Sequence, residues 1–117
     1  MLLTSNPVRR LLGLEPVYGG KRRSSKWPAL RKRFLAEFPA CAACGRTENA
    51  TPHHIFPYHV EGGDKRELDW DNLITLCEGK TLNCHLWLGH AGNWQWWNPS
   101  ARDDAWWFSA VLEGRQP

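Results

Sequence analysis

Cys41-Ala42-Ala43-Cys44, His53-His54-Ile55, Asn72-Leu73-Ile74, and then Cys77 with Cys84-His85 follow one another in a single stretch of this chain. Two thiol pairs thus bracket a pair of adjacent histidines. Cys41 to Gly45 reads as a knuckle whose tight turn lets two thiolates converge on one metal, and Cys77 with Cys84 supplies the other half of a four-cysteine zinc site. The second half is wider than the common Cys-x-x-Cys form, with Glu78 to Asn83 between its cysteines. Zinc asks for four convergent donors, not a fixed loop length, so the width is permissible.

Disulfide pairing is the competing reading of the four cysteines. It needs an oxidising compartment, and residues 1–14 carry Arg9 and Arg10 where a signal peptide would need its apolar run. No stretch approaches the roughly 18 apolar residues of a membrane span. The expectation is an intracellular, cytoplasmic protein with no membrane partner, and thiolates that bind metal.

At 117 residues the chain fits one domain. Ten glycines, eight prolines and a negative mean hydropathy leave little material for a core, so a metal staple is physically useful and the eight tryptophans are expected to supply much of the apolar area. Charge is unevenly spread: residues 1–40 carry a net of +7 and residues 41–117 a net of −4. Basic charge in one segment suggests a phosphate-binding surface, for which Lys21, Arg22, Arg23, Arg31, Lys32 and Arg33 are the candidates. A solvated helix face with a basic arm is the plain alternative.

The organisation follows from turn residues and periodicity. Residues 1–25 hold Pro7, Gly13, Pro16, Gly19 and Gly20 without a sustained period and read as a basic arm. Residues 26–117 read as one domain. Trp27, Leu30, Phe34 and Phe38 recur at helical spacing, with Ser25 as cap, Pro28 in the first turn and Pro39 as the stop. A short strand is expected within 51–60 with His53 and His54 at its start, a loop over 61–71, a second strand at 73–76, and a helix over 82–88 bearing His85. After Asn98-Pro99, Ser100 and Asp103 look like the start of a last helix, in which Trp106, Trp107, Ala110 and Val111 would be the buried face. Trp94, Trp96 and Trp97 read as packing aromatics, with base stacking as the alternative.

The residues of the opening stretch resemble the HNH branch of the His-Me finger, or ββα-metal, endonucleases. The resemblance covers about residues 41–90 and implies an α+β fold: a small ββα-metal core stapled by the four-cysteine zinc, with flanking helices and a Trp-rich extension over 91–117. It implies metal-dependent hydrolysis of DNA phosphodiesters, by nicking or double-strand cleavage. Position by position, His54 becomes the general base, His53 and His85 ligands of a catalytic divalent ion (Mg²⁺, or another such as Mn²⁺ or Ni²⁺), and Asn72 the residue that orients the loop or the base. Many relatives carry a further histidine four residues after the first. Here His90 follows His85 at an interval of five, which turns it away on a regular helix unless Gly89 permits a local break.

Gly89-His90-Ala91-Gly92-Asn93-Trp94 resembles extensions of small phage-associated members. That implies a phage or prophage setting, with phage DNA-processing proteins as partners. Two other functions compete: a non-catalytic zinc-knuckle module binding nucleic acid or a protein partner, which has no use for His54, and a nuclease acting on RNA.

Overall fold

In the computed structural model, residues 23–58, 60 and 62–114 are described. Lys21 and Arg22, with the rest of the arm expected over 1–25 up to that point, lie outside them, as does His59. The chain is a small α+β structure whose order is α1 (Trp27–Glu37), β1 (Ala50–His54), two 3-10 turns (Gly63–Arg66 and Trp70–Asn72), β2 (Leu73–Cys77), a π-helix (His85–Gly89) and α2 (Ala101–Leu112). No helix among the described residues is long and apolar enough to cross a membrane.

The sheet is one antiparallel pair. Ala50 faces Cys77, His53 faces Ile74 and His54 faces Leu73. The first strand is therefore shorter than expected and carries the two histidines at its end, not its start, because Pro57 and the turn that follows take the chain away from the ladder. Every residue of β2 is buried, which explains its mostly apolar run, and the polar member, Thr75, donates its hydroxyl to the Phe38 carbonyl.

The core is built around the thiols. Cys41, Cys77 and Cys84 form one buried cluster with Ala43, Ile74, Leu76 and Ala105, and Ile55, Leu82, Leu88 and Phe108 pack against it. The tryptophans do not fill it: none of the eight is buried, and Trp87, Trp94, Trp96, Trp106 and Trp107 are exposed. Of the expected buried face of α2 only Ala110 is buried, beside Ala101 and Ala105, while Trp106, Trp107 and Val111 face outward. Alanines four and five apart let the helix backbone approach the thiol cluster, and large indoles would hold it off. Ser100 starts α2, but its side chain makes no capping bond; Asn98 bridges instead, donating to the Asp104 carboxylate and to the Leu88 carbonyl.

On α1, Phe34 is the buried residue; it meets Trp70 edge-on at 4.9 Å and Phe38 at a tilt at 5.1 Å. Phe38 itself is exposed past the helix end. Lys26, not Ser25, occupies the cap position, and the Ser24 hydroxyl accepts from its backbone N–H. Arg31, Lys32 and Arg33 all lie on the exposed side of α1, with Arg31 donating to the Thr51 hydroxyl and Arg33 lying over the Trp70 ring.

Candidate metal centres and active-site cleft

Cys41, Cys44, Cys77 and Cys84 bring their sulfurs within 4.8 Å of one another, with Cys44 and Cys77 at 3.6 Å. Four thiolates at about 2.3 Å from a tetrahedral zinc would stand about 3.8 Å apart, so the cluster could hold such a metal. The backbone prepares it: the Cys41 N–H donates to the Arg46 carbonyl, and Gly45, at a φ of 83°, returns its N–H to the Cys41 carbonyl, closing the knuckle. Burial raises the Cys84 thiol strongly, and the neighbouring sulfurs raise it further. The four can ionise together only with a cation among them.

A second group, His53, His85 and His90, also offers ligand atoms within 4.8 Å of one another. Hydrogen bonds on the outer nitrogens set the tautomers. The Glu78 carboxylate lies 2.6 Å from His85 Nδ1, and the Trp96 carbonyl lies 2.8 Å from His90 Nδ1; both are acceptors, so both Nδ1 atoms carry the proton. In the neutral rings the two Nε2 atoms then carry lone pairs and no proton, and they face each other at 3.3 Å. His53 Nδ1 completes the group, 2.9 Å from His85 Nε2, while its Nε2 is packed against Gly89 and makes no hydrogen bond of regular geometry. Lone pairs converge in this way when a cation can sit between them, and ligands at about 2.0–2.1 Å from a metal stand roughly 3 Å apart.

The π-helix is what brings His90 in. Its backbone bonds skip one residue more than in an α-helix, as in His90 N–H to the His85 carbonyl at 3.1 Å, so residues five apart share a face. The regular helix expected over 82–88 would have separated them. Gly89 has no side chain at the one place where a Cβ would stand 3.1 Å from the His53 ring and from Leu76.

His54 is the last residue of β1 and points away from the triad, stacked on Trp27 at 4.5 Å. Its Nε2 donates to the Glu67 carbonyl at 2.9 Å, so the neutral ring presents Nδ1 as an acceptor, with the Arg23 guanidinium 3.4 Å away. Because the strand ends here, the two neighbouring histidines still line one cleft of about 310 Å³, which also includes Arg23, His85, His90 and Trp94. A larger groove of about 790 Å³ between α1 and α2, lined by Phe38, Trp70 and Trp106, has no histidine or cysteine in its wall.

His53, His54 and His85 keep their neutral form more firmly than usual. Burial lowers His53 well below its ordinary value, and the charges of His85, His90 and His54 lower it further. Burial lowers His54 and His85 as well, against the raising effect of the Glu67 carbonyl on one and of Glu78 on the other. Neutral imidazoles are what both metal ligation and proton acceptance require.

Asn72 is buried, and its side chain bonds to backbone groups. Its side chain donates to the Phe56 and Arg66 carbonyls and accepts from Phe56 N–H, tying the segment after His54 to the turn before β2. Two residues of this region escaped the sequence reading. Glu78 belongs to the wide interval between Cys77 and Cys84, and that departure from a tight knuckle was the available signal. Glu67, 3% exposed, sits in what reads as a polar loop, and nothing local marks it.

Residues 41–89 match the family model described as HNH endonuclease, and the two-stranded sheet and the four-cysteine cluster lie within them. No curated protein and no solved structure matches the chain.

Proposed function

We propose that the chain is a metal-dependent endonuclease that hydrolyses DNA phosphodiesters in the histidine-lined cleft. The observation that carries this reading is the pairing of two facing lone pairs, on His85 and His90, with a neighbouring His54 whose proton-accepting nitrogen opens on the same cleft. His53, His85 and His90 would hold the catalytic ion. Three neutral imidazoles favour a later first-row transition metal over Mg²⁺, which prefers oxygen ligands, so Ni²⁺ or Zn²⁺ fits this donor set better. A divalent ion there supplies charge neutralisation at the crowded phosphorus and at the departing 3′ oxygen.

The protein's own groups do the rest. His54 Nδ1 takes a proton from the attacking water as its oxygen bonds to phosphorus, and the P–O3′ bond breaks, leaving a 5′-phosphate and a 3′-hydroxyl that regains a proton from solvent. The Glu67 carbonyl holds the ring in the tautomer this needs. Asn72 acts as a positioning residue through the Phe56 backbone. Cys41, Cys44, Cys77 and Cys84 hold a structural zinc. Arg31, Lys32 and Arg33, with Lys21 and Arg22, contact backbone phosphates without reading sequence.

Supercoiled plasmid incubated with purified protein in Ni²⁺, Mn²⁺, Mg²⁺ or EDTA tests the reading, beside a His54→Ala variant. Nicking or linearisation by the parent alone, and only with a divalent ion, is the expected result. Equal conversion by both proteins removes the assignment, and no conversion in any ion leaves a non-catalytic zinc-knuckle module.

A further inference from the structure

Arg23, read in the sequence as one charge of a basic arm, is held in place by side chains distant in the chain. Its Nη1 lies 3.4 Å from His54 Nδ1 and 3.7 Å from a Glu67 carboxylate oxygen, and its guanidinium carbon lies 4.8 Å from the Tyr58 ring and 5.3 Å from the Trp27 ring. Glu67 is a fixed anchor: its buried carboxylate accepts the Ser24 backbone N–H at 3.0 and 3.3 Å. Two rings and a buried anion therefore orient a guanidinium that is itself about half exposed to the cleft.

Among the described residues lining that cleft, Arg23 alone carries a permanent positive charge. Its position is also specific. The lone pair of His54 Nδ1 marks where an attacking water must sit, and a phosphorus in line with that water lies about 3–3.5 Å farther on. The non-bridging oxygens of that phosphate then fall within reach of the guanidinium. Both polar contacts use Nη1, so Nη2 and Nε keep hydrogens for a planar, bidentate grip on phosphate.

Resting on the nuclease reading above, we propose that Arg23 is a catalytic residue that binds the non-bridging oxygens of the scissile phosphate and, in doing so, gives up its contact with His54 Nδ1. A phosphate anion is a stronger acceptor for guanidinium than a neutral imidazole. Arrival of the substrate thus draws the cation off the base, and the nitrogen becomes open to water. Arg31, Lys32 and Arg33, out on the exposed side of α1, would instead set general affinity.

The test uses the full-length, zinc-loaded protein, single-turnover cleavage at saturating DNA, and Arg23→Ala and Arg23→Lys variants. Loss of about 10²–10³-fold in the saturated rate is expected for Arg23→Ala, the scale of removing one preorganised donor to transition-state charge. DNA affinity should change far less. Arg23→Lys should recover part of the rate, and free guanidinium ion should partly rescue Arg23→Ala. Replacing one non-bridging oxygen of the scissile phosphate by sulfur should slow the parent more than Arg23→Ala for one of the two stereoisomers.

An unchanged saturated rate in Arg23→Ala overturns the assignment. So does a slowed variant with equal sulfur effects and no guanidinium rescue, which would make Arg23 a structural tie to Glu67. Should Arg23→Ala fail to fold, Arg23→Lys decides alone, since full activity with a non-planar cation excludes the bidentate grip. A parent inactive in every ion removes this proposal together with the nuclease reading, whereas an active parent with an indifferent Arg23→Ala removes this one only.

Discussion

The Glu78 carboxylate grips Nδ1 of His85 at 2.6 Å and so turns the ring's other nitrogen toward His53. The acid comes from the interval that makes the second cysteine pair wide. Extra residues between Cys77 and Cys84 thus do not loosen the thiol cluster; they provide an orienting partner for the histidine that follows it.

Removing that partner gives the first prediction. Glu78→Gln should weaken ion binding at the three histidines by about 10–100-fold, the usual scale for loss of an outer hydrogen bond to a ligating histidine, with the zinc content unchanged. Calorimetric titration with Ni²⁺ or Mn²⁺ measures it. Unaltered affinity would mean that Glu78 does not orient His85.

Base and ligand can be told apart within the histidine pair. His54→Ala should lose about 10²–10⁴-fold in turnover while retaining affinity for the catalytic ion, because the proton acceptor is gone and the three ligands remain. His53→Ala and His85→Ala should bind the ion more weakly and recover partly at high ion concentration. If His54→Ala loses the ion and His53→Ala keeps it, the two roles are exchanged.

Acidification should destabilise the zinc-loaded protein when the catalytic ion is absent. His53, His54 and His85 are held below the ordinary 6.5 in the folded chain, chiefly by burial, so below that pH the unfolded chain binds more protons. Their contribution is complete above about pH 6.5 and is lost progressively as pH falls toward the folded values. Urea midpoints compared at about pH 7.5 and about pH 5.5 should drop at the lower value. A midpoint that rises on acidification would contradict the buried neutral rings.

Serine at any one of Cys41, Cys44, Cys77 or Cys84 should lower zinc content and thermal stability together, since the thiols are part of the core and not an appendage to it. Elemental analysis beside a thermal melt reads both. A folded, active preparation with near-zero zinc would refute the structural site.

Cysteine spacing, the apolar run Leu73 to Leu76 and the order of His53, His54, Asn72 and His85 were legible because each is a local pattern with one dominant physical cause. His90 was legible only conditionally, because an interval of five is unfavourable on a regular helix and needs a local change at Gly89, which the π-helix packed against His53 supplies. The face of α2 was misjudged for a related reason: apolar content favours Trp106 and Trp107, but clearance over the thiol cluster favours Ala101, Ala105 and Ala110. Arg23 reads in the sequence as one more charge in a basic run. Its contact with His54 spans 31 residues, and Glu67, which anchors it, lies 44 positions on.

Cys84 and His85 are consecutive, so the last donor of one metal cluster fixes the backbone that carries a donor of the other. Where the thiols hold a structural zinc, its removal is expected to unsettle Glu78 and His85 together, and with them the imidazole trio. A chelator strong enough to strip the thiols should therefore silence the cleft even in a medium rich in the ion the cleft itself requires, and activity should return only once zinc is restored.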